Sequence, residues 1–503
     1  MDKKNATLPR LAALGLSILS VVMILIALTD TFAEPDLWGY LNFGHLFFNE
    51  PGFPFQDAFA YTPTHSTWVF HEWLTGVVLF RLQQAVGFGG IQVLKYLLGG
   101  LTAFFLYATA KKCGAGNGWP LAPVFLAGAF FSWAFPAFRA LSFTYCFYAL
   151  FLAVLETARL RENFSRLWAL PPTMLLWVNL HGGFLAGLGL VFLYALGRAV
   201  EGRRFSPYLK ILGVCGLITL INPYGTGLWQ TILGHLSAPQ HGIREWLSVP
   251  GAIYHFGPSY DLLIFLACLG LGGTLLAATR PRDHVAVLVL GATALLGLIH
   301  HRHMPFFILG FAVFAPAMLR QILEELTPGK FKPHITIPVV LFAGAMLFFN
   351  AQYFMDKTPL AFAGGNPLAL KTPAAPYAPG TDSLFYPVGA VGYLETASFS
   401  GNILPYATWG GYISWRLYPR CKVAMDLRFE TVYPKDIRDE YFEFLRCGPG
   451  WTDFLNKYPH DMVLVYAGDN LHKAMARQSG WEEIYQDPFT VIFARRRTET
   501  PRA

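Results

Sequence analysis

Long apolar runs are the feature that most constrains what this chain can fold into. A helix needs about 20 mostly apolar residues to cross a bilayer, and eleven stretches of this kind follow one another along the first 354 residues. They cover residues 9–31, 90–110, 118–136, 141–159, 167–180, 184–199, 207–221, 260–279, 284–299, 304–320 and 334–353. The sequence therefore predicts a polytopic α-helical membrane protein with about 11 transmembrane helices.

The composition agrees with this fold class. Charged residues make up 14% of the chain and hydrophobic residues 54%, whereas a soluble domain carries about 25% charged residues. The first run follows Lys3, Lys4 and Arg10 and is long for a signal peptide, so we interpret it as an uncleaved anchor. We find no stripe of basic residues with interleaved aromatic residues, and this excludes nucleic acid as a partner.

The placement of Lys and Arg predicts the orientation. With the N-terminus in the cytoplasm, the inner loops hold 17 of the 22 basic residues that precede residue 355, as the positive-inside rule requires. This register requires residues 71–88 not to cross the membrane, and their amphipathic pattern fits a helix on the outer surface. The five basic residues left on the outside are Arg81, Lys95, Arg139, Arg244 and Arg302.

The last part of the chain has a different character. Residues 355–383 are rich in Pro, Gly and Ala and are typical of a linker, and residues 384–503 alternate short strands with helices. This pattern predicts a small α/β domain after the transmembrane domain 1–354, and the odd number of spans places it in the periplasm. The domain has no glycine-rich nucleotide motif. It contains Cys421 and Cys447, and a disulfide between them is left open.

Acidic residues gather in the first outer loop, residues 32–89. Glu34, Asp36, Asp57 and Glu72 occur there, together with His71. A carboxylate at the membrane edge can accept a proton from an attacking hydroxyl or bind a divalent cation. The alternative is that these side chains only solvate an interfacial loop.

Three arginines, Arg139, Arg244 and Arg302, fall at separate positions on the outer side. A guanidinium group pairs with a phosphate in a two-pronged geometry, so three of them around one cavity could hold a lipid phosphate. The alternative is that they form salt bridges with the carboxylates of the first loop. A phosphate site often contains both kinds of contact.

Two histidine-containing motifs lie at outer helix ends. "WVNLHGGF" places Asn179 and His181 beside a tight glycine turn, and "HHRHMP" groups three histidines around Arg302. Polar lining of the interface is one interpretation of the second motif, and a metal site is the other. In the C-terminal domain, Trp409, Tyr412 and Trp415 could form a platform for a sugar. The alternative is that they pack the domain core or dock the domain on the membrane.

The segments "EPDLWGYLNFG", "FPFQDAFAYT", "HEWL", "WVNLHGGF" and "WGGYISWRLYP…KVAMDLR" resemble a group of bacterial multi-spanning proteins over nearly the whole chain. That group is related to the GT-C glycosyltransferases, such as protein mannosyltransferases and the aminoarabinose transferases of lipid A. The resemblance implies an enzyme of the bacterial inner membrane. It takes a sugar from a polyprenyl-phosphate donor on the outer leaflet and passes it, with inversion, to a glycan, lipid or protein acceptor.

The resemblance also implies roles for individual residues. The key acid of the first outer loop corresponds to Asp36, with Glu34 beside it, and Arg139 corresponds to the basic residue that meets the donor phosphate. In our own interpretation, His71, Glu72 and His181 shape the sugar or acceptor pocket. The sequence departs from the family pattern in having Glu-Pro-Asp in place of adjacent acids and in lacking an Asp-x-Asp in a later outer loop. The prediction includes no certain cofactor and no metal ligands, although a divalent cation is an option. The alternatives to an enzyme are a non-catalytic scaffold and a transporter of lipid-linked glycans.

Overall fold

The computed structural model describes residues 22, 24, 25, 28, 31–116, 137–237, 244–325, 337, 348, 366, 368–374 and 385–496. The predicted spans 118–136 and 334–353 lie almost entirely outside this part of the chain, as do most of the span 9–31 and most of the linker 355–383. The chain forms two compact units. The bundle unit consists of Met1–Thr31, Ile91–Gly225 and Ser237–Ala369, and the sheet unit consists of Phe32–Gly90, Thr226–Leu236 and Leu370–Ala503.

Helices dominate the described residues. The first twelve are α1 (Asp36–Asn49), α2 (Trp73–Val86), α3 (Phe88–Ala110), α4 (Leu141–Arg161), α5 (Leu170–Leu180), α6 (Phe184–Val200), α7 (Ser206–Ile218), α8 (Thr226–Ser237), α9 (Val249–Phe256), α10 (Tyr260–Ala278), α11 (His284–Ile299) and α12 (Met304–Glu325). The remainder of the chain contains α13 (Val388–Thr396), β1 (Gly401–Pro405), α14 (Ala407–Leu417), β2 (Cys421–Val423), α15 (Phe429–Val432), α16 (Lys435–Leu445), α17 (Trp451–Lys457), β3 (Met462–Tyr466), α18 (Asn470–Met475), β4 (Trp481–Gln486) and β5 (Thr490–Arg495).

Eight of the predicted spans coincide with described helices, namely α3 to α7 and α10 to α12. By length and composition, four helical segments of the described chain can cross a membrane: Phe88–Ala115, Leu141–Arg161, Tyr260–Ala278 and His301–Ile322. Shorter apolar helices occupy Phe184–Val200, Ser206–Ile218 and His284–Ile299. These apolar helices fit a membrane protein, and the total of eleven spans stays a prediction.

Charged groups fasten the C-terminal end of α4 within the bundle unit. Glu156 is fully buried, accepts a hydrogen bond from Tyr194 Oη at 2.8 Å and pairs with Arg159 at 3.0 Å. Arg159 also contacts Asp283, which caps the N-terminus of α11, at 2.7 Å. A buried carboxylate is costly unless it is paired. This network supplies the partners and ties α4 to α6 and α11.

A five-stranded mixed sheet with the strand order β2-β1-β3-β5-β4 lies in the sheet unit. Strand β1 pairs in parallel with β2 and β3, while β5 runs antiparallel to β3 and β4. The first loop joins this sheet, because the Tyr61 amide donates to the Val423 carbonyl at 3.2 Å and the Val423 amide donates to the Phe59 carbonyl at 2.9 Å. Residues 32–90 therefore belong to the same compact unit as the sheet, a grouping that the sequence pattern did not indicate.

Aromatic residues build the core of the sheet unit. Trp409 is fully buried and Tyr412 is 2% exposed. The Trp409 indole donates a hydrogen bond to the Phe385 carbonyl at 2.8 Å. Of the two interpretations of this aromatic segment, the structure supports core packing for both residues. Cys421 and Cys447 are free thiols.

Two glycines let α1 and α2 pack against each other at short range. A Cβ atom on Gly44 would lie 2.3 Å from Phe80 Cβ and 2.5 Å from the Gly76 carbonyl oxygen. A Cβ on Gly76 would lie 2.8 Å from the Tyr40 carbonyl oxygen. The helix predicted within residues 71–88 thus corresponds to α2, and the close packing of the two backbones holds it to α1.

We expect Gly44→Ala to destabilise the protein by about 1–3 kcal/mol, because the new methyl group overlaps backbone and side-chain atoms of α2. Gly39→Ala in the same helix is the matched control, because a Cβ there meets nothing within 4 Å. That change should be neutral or stabilise by up to about 1 kcal/mol through helix propensity. Thermal unfolding of the full-length protein measures both. Equal melting temperatures for the two variants would contradict the close contact.

His460 is a buried neutral histidine of the sheet unit, 1% exposed. Its Nε2–H donates to the Phe454 carbonyl at 2.9 Å, and Tyr61 Oη contacts its Nδ1. Burial lowers the pKa of His460 to about 4, with a smaller contribution from the charge of Arg495. His460 therefore gains a proton near pH 6.5 in the unfolded chain but only near pH 4 in the folded chain.

Stability should accordingly fall as the pH drops from 7.5 to 5, by about 2 kcal/mol from this residue, because the unfolded state binds more protons over that range. His460→Gln keeps a donor and an acceptor but cannot titrate, so this variant should lose less stability on acidification. The exposed His65→Gln is the control. Denaturant unfolding at the two pH values tests the difference. Parallel losses in the wild type and His460→Gln would show that another group titrates.

Candidate functional site

Two of the predicted phosphate-binding arginines meet around a carboxylate that the sequence analysis did not single out. Arg139, just before α4, donates from Nη1 to Glu245 Oε1 at 2.8 Å. Glu245 lies in a short helical turn, Arg244–Trp246, and Arg302 lies in the turn His301–His303 before α12. The charges of both Arg139 and Arg302 act on Glu245. The bundle unit therefore brings Arg139 and Arg302 to one place.

Backbone and ring contacts fix the two turns against each other. The His301 amide donates to the Leu247 carbonyl at 2.9 Å, and His300 Nδ1 donates to the Trp246 carbonyl at 2.9 Å. The Arg302 guanidinium carbon lies 4.5 Å from the centre of the Trp246 ring. A cation–π contact of this kind holds a guanidinium without neutralising it. The position of Arg302 is thus set by an aromatic face.

Several positive charges act on the carboxylate of Glu245. Burial pushes the pKa of Glu245 upward, but the guanidinium of Arg139 outweighs it and, with Arg302, holds the pKa below its usual value. Glu245 is therefore ionised near neutral pH, and it pairs with Arg139. For Arg244, the structure describes the backbone and not the side chain. A guanidinium group such as that of Arg139 or Arg302 suits an anion.

The histidines of "HHRHMP" take part in holding this turn. His301 is 3% exposed, and its Nε2 lies 2.5 Å from Asp261 Oδ2 in the first turn of α10. Within the described ranges, no group of three or more His, Cys, Asp or Glu side chains could hold a metal ion. The motif thus links α10, the turn and α12.

His181 follows helix α5 in the tight turn that leads to α6, and Asn179 lies in the last turn of α5. Thr144 Oγ1 accepts a hydrogen bond from the Trp177 indole, and the Thr144 hydroxyl and the Gly183 amide both donate to His181 Nδ1, each at 2.8 Å. His181 Nδ1 is therefore the unprotonated ring nitrogen. A Cβ on Gly183 would lie 2.4 Å from Thr144 Oγ1, so only glycine fits there.

Asn179 precedes this turn, in the last turn of helix α5. Its Nδ2 donates to the carbonyls of Leu175 and Ile221 at 2.8 and 3.0 Å. The motif "WVNLHGGF" is thus explained as a hydrogen-bonded turn that orients the His181 ring.

Glu34 and Asp36 lie at the start of α1. Pro35 precedes the helix and Asp36 is its first residue, a position where a negative charge is favoured by the helix dipole. The Asp36 amide donates to Glu34 Oε2 at 2.9 Å. Both carboxylates are partly exposed, and both act on Tyr386, whose pKa is raised by burial first and by these charges second.

Asp57 occupies a buried ion-pair network in the sheet unit. Its side chain is 1% exposed, its Oδ1 contacts Arg428 Nη1 at 2.5 Å, and its Oδ2 accepts from the Ala60 amide at 2.7 Å. Arg428 also binds Asp426 at 2.7 Å and lies over the ring of Trp68 at 4.6 Å. Both oxygens of Asp57 are thus engaged: Oδ2 binds within the first loop, and Oδ1 ties this loop to Arg428. A salt bridge to a first-loop carboxylate therefore exists, but its arginine is Arg428 and none of the three outer arginines.

His71 and Glu72 stand just before α2. His71 Nε2 lies 3.8 Å from Glu72 Oε1, and Glu72 is the residue that precedes the helix. The side chains are 24% and 14% exposed, respectively. They form a half-buried acid–base pair of the sheet unit.

Two polar features escaped the sequence analysis as site candidates. Glu245 carried no local signal, because its partner Arg139 lies 106 residues away in the chain. Lys95 and Gln92, one turn apart on α3, are both fully buried. An ionisable residue inside an apolar helix is expensive and commonly functional, so the position of Lys95 inside the span 90–110 was a usable signal.

The fold has counterparts among solved structures. The arabinofuranosyltransferase AftD from Mycobacteria matches 96% of this chain with a TM-score of 0.51 and 14% identity, and a mutant of that enzyme matches 95% with a TM-score of 0.56 and 14% identity. The chain thus has the fold of the GT-C glycosyltransferases, which confirms the fold expected from the resemblance. It spans about two fifths of the length of AftD, covering 40% and 41% of the two AftD chains.

A further match is ArnT from Cupriavidus metallidurans bound to undecaprenyl phosphate, with a TM-score of 0.49 and 15% identity over 96% of this chain and 97% of ArnT. No protein-family model matches the sequence. No curated protein matches it either.

Proposed function

We propose that this chain is a membrane glycosyltransferase. It would move a sugar from a polyprenyl-phosphate donor to a glycan, lipid or protein acceptor on the outer face of the bacterial inner membrane. The fold shared with AftD, an arabinofuranosyltransferase, supports the reaction class. The observation that carries the proposal is the convergence of Arg139 and Arg302 around Glu245.

The two arginines would hold the phosphate of the donor. When the bond between the sugar and the phosphate oxygen breaks, its electron pair leaves with the polyprenyl phosphate and negative charge grows there. Fixed guanidinium groups stabilise that charge without reorganising. Glu245 keeps the Arg139 side chain in place, and Trp246 does the same for Arg302. Arg244, in the same turn as Glu245, is proposed as a third phosphate contact.

Asp36 would act as the general base. Its carboxylate would take the proton of the acceptor hydroxyl while the acceptor oxygen forms the new bond to the sugar carbon. Glu34 binds the backbone amide of Asp36 and so fixes the start of the helix that carries it. We further propose that His71 and Glu72 of the sheet unit, and His181 and Asn179 of the bundle unit, contact the sugar or the acceptor. Asp57 would act through the ion pair that anchors the first loop.

The proposal keeps the topology predicted from the basic residues. The N-terminus would lie in the cytoplasm, residues 1–354 would form the transmembrane domain and residues 384–503 would be periplasmic. A divalent cation is an optional addition that the described residues do not call for.

Loss of Arg139 is expected to block the transfer. In a strain that lacks the gene, mass spectrometry should detect a missing sugar in the envelope glycans and an accumulated polyprenyl-phosphate sugar. Complementation with Arg139→Gln at equal protein level should restore transfer only about 1% as well as the wild type, because one charge that stabilises the leaving group is gone. The exposed Arg282→Gln serves as the control.

Two outcomes contradict parts of the proposal. Full restoration by Arg139→Gln would exclude the phosphate role. A deletion that leaves every glycan and lipid-linked sugar unchanged would contradict the enzyme itself. Accumulation of a glycan product on the cytoplasmic side of the membrane in the deletion strain would instead support a transporter.

A further inference from the structure

A polar cavity lies in the bundle unit, at the opposite end of α4 from the arginine cluster. It has a volume of about 230 Å³ and is lined by Phe164 and Trp168 from the turn after α4 and by Arg204, Ser206 and Lys210 at the start of α7. Helix α4 begins two residues after Arg139 and ends three residues before Phe164. The cavity and the arginine cluster therefore belong to opposite ends of the same long helix.

The cavity has unbalanced positive charge. Arg204 and Lys210 are exposed, and neither forms an ion pair with any residue that the structure describes. The acids of the adjacent turns are Glu162 and Glu201, and both are paired with Arg198. The Arg204 guanidinium carbon lies 5.4 Å from the centre of the Phe164 ring, which orients it and leaves its charge uncompensated.

Exposed apolar side chains occur at the cavity and next to its lining residues in the sequence. Trp168, which lines the cavity, is 62% exposed. Phe205 and Leu209, which neighbour the lining residues Arg204 and Lys210 in the sequence, are 41% and 44% exposed. An exposed tryptophan beside basic residues at the end of an apolar helix is typical of a bilayer interface. Charge inside the cavity and apolar surface around it match a molecule with an anionic head and apolar chains.

We propose that this cavity binds the phosphate headgroup of an anionic membrane phospholipid. Arg204 and Lys210 contact the phosphate, the Ser206 hydroxyl lies at the same wall, and Trp168 and Leu209 contact the glycerol and acyl region. The predicted topology assigns this end of α4 to the cytoplasmic leaflet, away from the side of the proposed transfer. The site is independent of the proposed reaction, because none of its residues belongs to the Arg139 cluster.

Native mass spectrometry of the full-length protein, released from nanodiscs that contain equal amounts of phosphatidylglycerol and phosphatidylethanolamine, tests this proposal. The double variant Arg204→Gln/Lys210→Gln should bind phosphatidylglycerol about 30-fold more weakly, since each basic group near an anionic lipid contributes about a factor of five. The double variant Arg166→Gln/Arg203→Gln is the matched control. It removes the same charge from the same turns, from exposed residues that do not line the cavity.

Three results would overturn the proposal. Equal weakening in the two double variants would show diffuse attraction to surface charge and not a site. Equal retention of both lipids by the wild type would exclude selection of an anionic headgroup. Inorganic phosphate that displaces the lipid at comparable concentration would identify a soluble anion as the ligand. Melting temperatures that match the wild type confirm that both variants are folded.

Discussion

Replacing Asp36 with Asn is expected to reduce sugar transfer by about 10²–10⁴-fold, the usual contribution of a general base. Asn keeps the size of the side chain and is also well tolerated at the start of a helix. The helix dipole favours the lost negative charge by only about 0.3–1 kcal/mol, so the fold should persist. Loss of activity and loss of stability are thereby separated.

The measurement is transfer by purified protein from the lipid-linked sugar that accumulates in the deletion strain. Glu50→Gln is the matched control, because Glu50 is an exposed acid at the other end of the same helix α1. The control should transfer at the wild-type rate. Wild-type transfer by Asp36→Asn would show that another group accepts the proton, and Glu34→Gln would then be the next variant to test.

Arg428→Met should have the largest effect on stability, a loss of about 3–5 kcal/mol. Arg428 is the shared partner of Asp57 and Asp426, whose side chains are 1% and 3% exposed. Removing it leaves two buried carboxylates without their cation, and an uncompensated buried charge is strongly destabilising. Because Asp57 belongs to the first loop and Arg428 to the segment after strand β2, the same change should loosen the loop.

Thermal unfolding and limited proteolysis of the full-length protein test this expectation. Arg446→Met is the matched control, since Arg446 is exposed and lies over Phe442 at 5.9 Å. Arg428→Lys should fall between the two, because a single ammonium cannot reproduce the fork that binds both acids. An Arg428→Met protein that melts like Arg446→Met would mean that the two acids become protonated at little cost.

Much of the helical framework was predictable because its signal is local. Eight apolar runs became helices within a few residues of the predicted bounds, and α2 appeared where amphipathic spacing indicated a surface helix. Helices α1 and α14 were missed because their glycines and aromatic residues weaken the helical pattern. In α14, Gly410 is required by packing, since a Cβ there would lie 2.3 Å from the Met425 carbonyl oxygen. Pro35 followed by Asp36 was the available start signal for α1.

The candidate site was only partly predictable, because its contacts join distant parts of the chain. The sequence singled out Arg139 and Arg302 from their positions at helix ends. It did not indicate Glu245, which the fold pairs with Arg139. Asp57 and Arg428 are separated by 371 residues, and no pattern in a single sequence connects them. The sequence indicated Asp57 as a candidate because it lies among the acidic residues of the first outer loop. Only the fold shows its buried partner, Arg428.

The pairing of residues 59–61 with Val423 has a consequence for biosynthesis. The ribosome delivers the first loop long before it delivers strands β1 to β5, so this loop must wait for most of the chain to be translated. During that interval Asp57, Phe59 and Tyr61 lack the partners that bury them. The yield of folded protein should therefore depend mainly on whether a chaperone shields this segment or its exposure to proteases is delayed. The stability of the folded protein should matter less for the yield. For the same reason, residues 384–503 expressed alone would expose the surface that the loop normally covers, and we expect that fragment to aggregate.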